Sequence, residues 1–166
     1  MSSSSGIENP MNPELYTERA WNAIAKAPPF CDKYKTQYVE TTLLMKSMLD
    51  DGPSGLAQRI LVKAGIDVAK FDSKLEDHLQ KQPKVSDVAN KMMGKTMGPM
   101  LTYANVLKKE YGDSFVSIEH LILAMADDGY VKTLFKEFGV TKVKLKEAVK
   151  EIRGNNKVSS KVKSFM

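Results

Sequence analysis

Apolar residues recur at helical spacing in the second half of the chain, along the stretch SFVSIEHLILAMADD at residues 114–128. Four of them fall at positions i, i+3, i+4 and i+7, on one face of a helix: Ile118, Leu121, Ile122 and Met125. The stretch YVETTLLMKSMLDD, 77 residues earlier, has its matching positions at Thr41, Leu44, Met45 and Met48. The chain therefore contains two copies of one helix.

The duplication extends to most of the chain. Residues 56–77 match residues 130–151 at an offset of 74, because the connector before them is three residues longer in the first copy. No segment alternates as a strand does. The predicted helices are approximately 14–27, 40–50, 55–64, 68–81, 98–111, 117–127, 129–137 and 142–152. The predicted fold is all-α, an eight-helix bundle of two pseudo-symmetric four-helix repeats that share one core.

Residues typical of helix ends support these boundaries. Gly65 and Gly139 each follow a helical run, where a left-handed residue is favoured. Asp67 and Thr141 then come at N-cap positions of the next helix. The pair Pro28-Pro29 is predicted to end the first helix, because proline lacks the amide hydrogen that a helix needs.

The composition is that of a soluble globular protein, with 42% hydrophobic and 27% charged residues in 166. Residues 1–13 lack a basic region and an apolar stretch, so they are predicted to be a disordered leader rather than a secretory signal. Repeat one is assigned to residues 14–82 and repeat two to residues 97–152. The intervening 83–96 and the final 153–166 are predicted linkers.

Charge and cysteine content narrow the function classes. The net charge is +5, but residues 150–166 account for +4 of it, so the body of the chain is close to neutral. A nucleic-acid-binding face belongs to the fold itself, and a nucleic-acid partner is therefore not expected. The lone Cys31 excludes an internal disulfide and is typical of inert packing in a reducing compartment.

Three patterns suggest chemistry, and each has a simpler interpretation. ANKMMGKT, residues 89–96, loosely fits a phosphate-binding loop, but bulky residues replace the small ones and no buried strand precedes it. His78 and His120 lack ligand partners at helical spacing, which argues against a zinc site. The four methionines of MMGKTMGPM, residues 92–100, are typical of core packing or of an adaptable apolar surface. No cofactor, metal or catalytic group is predicted for this chain.

The repeated segments also resemble a known family. The quoted residues are YVETTLLMKSML, DSFVSIEHLILA, QPKVSD between the copies and EIRGNNKV near the end. They are similar to the duplicated amino-terminal domain of Clp chaperone ATPases, over about Glu14 to Val158. QKQPKVSDVANKMMG and LILAMADD particularly resemble ClpB of the cyanobacterial and plastid type.

This resemblance implies a substrate-engaging module joined by a mobile linker to two AAA+ ATPase domains, which use ATP and magnesium and form a homohexamer. The chain would then be a monomeric fragment that binds unfolded or aggregated polypeptides without turnover. It implies a location in the cytoplasm or an organelle stroma. No apolar run approaches the length needed to cross a bilayer, so a membrane partner is not expected either. The alternative is a domain that docks an adaptor protein or a degron, as in the ClpA and ClpC branches.

The resemblance also assigns site residues. The family's polar site corresponds to Thr17, Asp113 and Glu119, and an apolar groove beside it corresponds to Tyr103, Leu107 and His120. The structural alternatives are that Asp113 closes a turn, Glu119 caps a helix, and Tyr103 and Leu107 pack in the core.

One pair of positions that differ between the copies lies beside the shared helical stripe. The second copy has Glu119-His120 where the first has Thr42-Leu43. These positions are expected to lie nearer the surface than the stripe. A single functional surface is therefore predicted around the second copy.

Overall fold

The computed structural model describes residues 9–86 and 91–162, and these form an all-α bundle as predicted. After a 3-10 turn at Pro13–Leu15, the helices are α1 (Glu18–Tyr34), α2 (Thr41–Leu49), α3 (Leu56–Lys63), α4 (Val68–Gln80), α5 (Met97–Glu110), α6 (Ile118–Met125), α7 (Gly129–Glu137) and α8 (Lys142–Arg153). All except α1 begin and end within two residues of the predicted positions.

Helix α1 contradicts the prediction that Pro28-Pro29 ends it, because it continues to Tyr34. Two prolines remove two helical hydrogen bonds and are costly inside a helix. The inner face of α1 nevertheless stays in the core on both sides of them, since Ile24, Cys31 and Tyr34 are all 0–1% exposed. Burial of that face compensates for the lost bonds.

Cys31 lies on this buried face, and its side chain is packed in the core. Burial raises the pKa of the Cys31 thiol, while a hydrogen bond with Thr36 acts in the opposite direction. A buried thiol with a raised pKa is a poor nucleophile.

Two very short strands were not predicted. Strand β1 (Tyr38–Val39) pairs in parallel with β2 (Met92–Met93), and an isolated bridge joins Tyr16 to Val116. Each pairing connects the segment before the second helix of one repeat to the segment before the first helix of the other. Two-residue strands are too short to leave an alternating pattern in the sequence.

Helices of each repeat also pack against helices of the other repeat. Helix α3 packs on α6 and α8 of repeat two, and α7 packs on α2 and α4 of repeat one. The rings of Phe71 on α4 and Phe135 on α7 stack with centroids 5.4 Å apart. The core is therefore common to both repeats, which explains why neither is expected to fold alone.

The equivalent helix ends of the two repeats adopt the predicted caps. Gly65 and Gly139 have φ values of +91° and +71°, in the left-handed region that favours glycine. The side chains of Asp67 and Thr141 each accept a hydrogen bond of 3.2 Å from the amide three residues later. The local sequence determines these ends in the same way in both copies.

The C-terminal segment predicted as a linker is packed on the bundle as far as Lys161. Val158 is 2% exposed, and its carbonyl accepts from the amide of Ser114 at 2.7 Å. The carbonyl of Lys161 accepts from the amide of Glu18, also at 2.7 Å. The folded unit therefore extends beyond the predicted boundary at residue 153.

The described part of the predicted leader also contacts the fold, since the Tyr16 hydroxyl donates to the carbonyl of Pro10. Residues 1–8 of the leader, 87–90 of the inter-repeat linker and 163–166 of the final linker lie outside the described residues.

Candidate functional site

A group of charged and polar residues is buried in repeat two, and we call it the Asp113 cluster. Asp113 follows α5, Ser117 caps α6, Glu119 and His120 lie in the first turn of α6, and Arg153 ends α8. All five are less than 9% exposed. The cluster therefore ties three separated parts of the chain together inside the protein.

Asp113 is the centre of this cluster. Its Oδ1 accepts from Arg153 Nη2 at 2.6 Å and from the amide of Val158 at 2.9 Å, and its Oδ2 accepts from His120 Nε2 at 2.7 Å. Burial alone would raise the pKa of Asp113, but hydrogen bonds from His120, Arg153 and Val158 outweigh it and lower the pKa to about 2. The carboxylate is charged at neutral pH.

The hydrogen bonds of His120 define its tautomer. Its Nδ1 accepts from the backbone amide of Ser117 at 2.9 Å, and a backbone amide can only donate. The ring proton is therefore on Nε2, which donates it to Asp113. His120 links the N-terminus of α6 to Asp113 without needing a charge of its own.

Glu119 completes the cluster. It accepts from the Ser117 hydroxyl, and its Oε2 lies 3.7 Å from Nη1 of Arg153. The expectation that Glu119 and His120 lie near the surface is wrong, because they are 2% and 0% exposed. Paired, hydrogen-bonded charges can be buried where isolated ones cannot.

The other predicted site residues lie in different environments. Thr17 caps α1 by accepting from the amide of Ala20 at 3.2 Å, and Leu107 is fully buried in the core. Tyr103 is half-buried and lines a cleft of about 340 Å³, with Lys142 Nζ 4.5 Å from its ring centre. The structure thus brings Asp113, Glu119 and His120 together but does not place all six residues on one groove.

The same location in repeat one is open. At an offset of 77, Thr36, Thr42 and Leu43 are the counterparts of Asp113, Glu119 and His120. These three residues help to line a cleft of about 360 Å³, which we call the repeat-one cleft. Its other lining residues include Tyr38, Glu40, His78, Gln82, Val85, Thr96 and Tyr130.

The segment that follows the last helix of each repeat explains this difference. Both segments contain Lys-Val-Ser, at residues 84–86 and 157–159. Lys84 and Lys157 both donate to the backbone carbonyl of a tyrosine, at 2.9 and 2.6 Å. Val158, whose amide reaches the Asp113 carboxylate, is buried, whereas Val85 bonds to the carbonyl of Lys35 and is half-buried.

One wall of the repeat-one cleft is aromatic. The rings of His78 on α4 and Tyr130 on α7 stack with centroids 3.6 Å apart and planes 12° from parallel. Burial lowers the pKa of the His78 imidazole, so the ring is neutral at neutral pH. This wall, built from both repeats, is an uncharged surface for an apolar group.

Exposed apolar side chains lie beside the cleft on the two short strands. Tyr38 is 50% exposed, Met92 is 51% exposed and Met93 is 39% exposed. Clustered exposed apolar residues mark interaction sites more often than scattered ones do. Neither the strand pairing nor the cleft was predicted, although the methionine-rich stretch was a signal for an adaptable surface.

The described part of the loose phosphate-loop motif, residues 91–96, binds the side-chain carboxylate of Glu40. Glu40 Oε1 accepts from the amide of Thr96 at 3.1 Å and from its hydroxyl at 2.5 Å. The amide of Gly94 donates to Val39, and a Cβ on Gly94 would lie 2.1 Å from the Glu40 carboxyl carbon. The glycine is needed for this close approach, and the two amides are already used.

Within residues 9–86 and 91–162, no three acidic, histidine or cysteine side chains converge as a metal-binding group. Over the same residues, no helix has the length and hydropathy needed to cross a bilayer.

Comparison with known proteins decides the family. Residues 15–138 match the Clp repeat (R) N-terminal domain family. The chain belongs to this family.

Two curated relatives of this Clp N domain are ClpB chaperones. The chain is 39% identical over 151 residues to chaperone protein ClpB 1 of Thermosynechococcus vestitus, with 90% of this chain and 17% of the relative aligned. It is 43% identical over 145 residues to chloroplastic chaperone protein ClpB2 of Oryza sativa subsp. japonica, covering 86% and 15% of the two chains. The predicted resemblance to cyanobacterial and plastid ClpB is confirmed, and the chain spans about a sixth of these relatives.

A solved structure has the same fold. The Hsp104 N-terminal domain from Candida albicans aligns with a TM-score of 0.79 and 23% identity, covering 89% of this chain and 97% of that one. This likeness confirms the architecture of the bundle.

Proposed function

We propose that this Clp N domain is the substrate-binding amino-terminal domain of a ClpB-type chaperone that disaggregates proteins. The observation that carries the proposal is the repeat-one cleft, open and mostly uncharged, beside the exposed side chains of Tyr38, Met92 and Met93. Unfolded chains differ from folded ones by exposing apolar side chains, which such a surface can cover.

The cleft would bind an extended segment of an unfolded protein by taking in one or two of its apolar side chains. At about 360 Å³ it lies at the small end of ligand-binding cavities. The captured segment loses conformational freedom, so the binding is expected to be weak and reversible. Weak capture suits a domain that must hand its substrate on.

In this proposal the remaining steps belong to parts of the full-length protein beyond this chain. AAA+ domains would bind ATP and magnesium, assemble as a homohexamer and thread the captured polypeptide. The chain itself would be a monomeric binding module without catalytic activity, located in the cytoplasm or an organelle stroma.

The site residues assigned by resemblance have a different part in this proposal. Asp113, Glu119 and His120 support binding indirectly, because their cluster holds repeat two and its C-terminal segment in place. Thr17 and Leu107 likewise stabilise the fold. Tyr103 borders an open cleft and remains a candidate for direct contact.

The test is a titration of this chain with a permanently unfolded protein, such as reduced and carboxymethylated casein, followed by calorimetry or fluorescence anisotropy. Saturable binding to the unfolded protein, and none to a native globular protein, is expected. A domain that binds no unfolded protein but binds one folded partner tightly would be an adaptor- or degron-docking domain of the ClpA or ClpC kind instead.

A further inference from the structure

The segment that follows α8 is held on repeat two in the way that a binding site holds a peptide. The side chain of Val158 is buried, with 2% exposed. Its amide donates to Asp113 Oδ1 at 2.9 Å, and its carbonyl accepts from the amide of Ser114 at 2.7 Å. One residue is thus recognised through its amide, its carbonyl and its side chain. Peptide-binding sites combine main-chain hydrogen bonds with burial of a side chain in the same way.

The segment has a second attachment, at the start of α1. The carbonyl of Lys161 accepts from the amide of Glu18 at 2.7 Å, and its ammonium group lies 3.0 Å from Oε1 of Glu14. Glu18 is the first residue of α1, where amides have no partner within the helix. Main-chain hydrogen bonds therefore attach the segment at two places, and we call residues 157–161 the C-terminal strap.

The strap is attached less firmly than a helix of the bundle. Among residues 154–162, all of which the structure describes, Val158 is the one buried residue. Its neighbours Lys157 and Ser159 are exposed, although Lys157 Nζ donates to the carbonyl of Tyr111 at 2.6 Å. A segment with one buried side chain and a few main-chain bonds opens at a lower free energy than core helices do.

The surface beneath the strap keeps its charges paired when the strap is away. Asp113 accepts from Arg153 at 2.6 Å and from His120 at 2.7 Å, and these residues belong to α8 and α6. The carboxylate therefore retains two partners, while Asp113 Oδ1 and the amide of Ser114 each become available to another main chain. The equivalent location in repeat one is an open cleft of about 360 Å³, so the fold accommodates an open site there.

We propose that repeat two contains a second peptide-binding site, which the C-terminal strap occupies, and that an unfolded segment binds there by displacing the strap. The inference rests on the proposed function for the class of competitor, an extended polypeptide segment. That segment places an apolar side chain about the size of valine where Val158 is buried, and it bonds directly to Asp113 and Ser114. Because the strap belongs to the same chain, it competes at a high effective concentration and keeps the site closed most of the time.

A chain that ends at Asn156 tests the proposal. It lacks the strap but keeps Arg153 and the carbonyl of Asn156, to which Arg153 Nε donates at 3.2 Å. Its affinity for reduced and carboxymethylated casein should be about tenfold higher than that of the 166-residue chain, because the second site is then always open. Adding the peptide Lys-Val-Ser-Ser-Lys-Val, which is residues 157–162, should reverse the gain. The same peptide with aspartate in place of its first valine should not.

Val158→Asp tests the strap within the 166-residue chain. A carboxylate is excluded from the buried position beside Asp113, so the strap should open and the affinity for casein should rise as it does on truncation. Val162→Asp is the matched control, because Val162 ends the same segment, is 70% exposed and changes the net charge equally. The control should keep the affinity of the wild type. Thermal unfolding followed by circular dichroism should be cooperative for both variants.

The outcomes separate this inference from the proposed function. Equal affinities of the wild type, the truncated chain and Val158→Asp would overturn the strap proposal and leave capture by the repeat-one cleft intact. No casein binding by any form would overturn both, and binding by the truncated chain alone would support the strap and overturn the repeat-one cleft.

Two further results would count against a second site. A gain that the strap peptide fails to reverse, or that Tyr38→Ser in the repeat-one cleft abolishes, would show that truncation acts elsewhere in the bundle. Loss of cooperative unfolding in both the truncated chain and Val158→Asp would show that the strap is a structural part of the fold and cannot be displaced.

Discussion

The two repeats contain the same series of four helices, but one equivalent location is closed in repeat two and open in repeat one. In repeat two, the Asp113 cluster draws in the C-terminal segment and buries Val158. In repeat one, the counterparts of Asp113, His120 and Arg153 are Thr36, Leu43 and Leu79, and the location is a cleft. The carboxylate that accepts the amide of the following segment is present only in repeat two, where the location is closed.

The comparison also shows which features a duplicated fold retains. The left-handed caps at Gly65 and Gly139 and the lysine-to-carbonyl bonds of Lys84 and Lys157 occur in both repeats. These features set helix ends and chain direction. The Asp113 cluster and the repeat-one cleft lie beside the N-termini of α6 and α2, near the segment that follows the last helix of each repeat. At this location the side chains of the two repeats differ.

The largest effect is expected from Asp113→Ala. The substitution leaves Arg153 and His120 buried without their carboxylate, and breaking such a pair costs about 3–5 kcal/mol of the free energy of unfolding. Urea denaturation measures this loss. The counterpart Thr36→Ala removes no charge and should cost less than about 1.5 kcal/mol. Similar losses for both variants would contradict the contrast between the repeats.

The free energy of unfolding should depend on pH through the ionisation of the Asp113 carboxyl group. The pKa of Asp113 falls from its ordinary 3.8 to about 2 on folding, so its contribution is complete above pH 3.8 and is lost as the pH falls toward 2. This contribution is about 2 kcal/mol by linkage. Wild type and Asp113→Asn should differ constantly in stability above pH 4 and converge below it. A constant difference down to pH 2 would refute the assignment.

Hydrogen exchange should separate the two connecting segments. The amide of Val158 is buried against a carboxylate, whereas Val85 is half-buried and bonds to a carbonyl. The Val158 amide is expected to exchange at least about tenfold more slowly, because exchange follows local opening. Amide exchange measured by NMR provides the test, and equal rates would show that the cluster does not hold the segment.

Binding of unfolded protein should depend on the side chains that line the repeat-one cleft. Tyr38→Ser removes an exposed ring that lines the repeat-one cleft, and should weaken binding of unfolded casein about fivefold with little change in stability. Val143→Ser is the control, because Val143 is 66% exposed on α8, away from the lining residues. Equal weakening by both variants would point to general surface hydrophobicity.

The smallest difference between the repeats is expected at the glycine caps that both of them contain, Gly65 and Gly139. A Cβ at Gly65 or Gly139 meets no atom within 4 Å, so alanine there costs only the left-handed conformation, about 1–2 kcal/mol. Thermal unfolding of Gly65→Ala and Gly139→Ala should give nearly equal losses. Clearly unequal losses would show that the repeats differ even where their local sequences agree.

The sequence predicted the duplicated all-α fold, seven of the eight helix positions and the matched caps, because these depend on periodicity and on single residues at helix ends. It did not predict that α1 continues past Pro28-Pro29, since that depends on the burial of Tyr34 and Cys31 beyond the prolines. It placed Glu119 and His120 near the surface because no local pattern shows that Arg153 lies beside Glu119 or that His120 donates to Asp113. One usable signal was present: Thr36, Leu43 and Leu79 are all uncharged where repeat two has Asp113, His120 and Arg153.

The sequence by itself determined that this chain is two copies of one helical unit with a common apolar interior and membership of the Clp N domain family. Only the tertiary structure decided which copy is closed, because Asp113 and Arg153 are 40 residues apart and meet only when α8 folds back beside α6. The repeat-one cleft likewise has walls from both repeats, with His78 on α4 and Tyr130 on α7. A site built from distant segments follows from how helices pack, which local patterns do not encode.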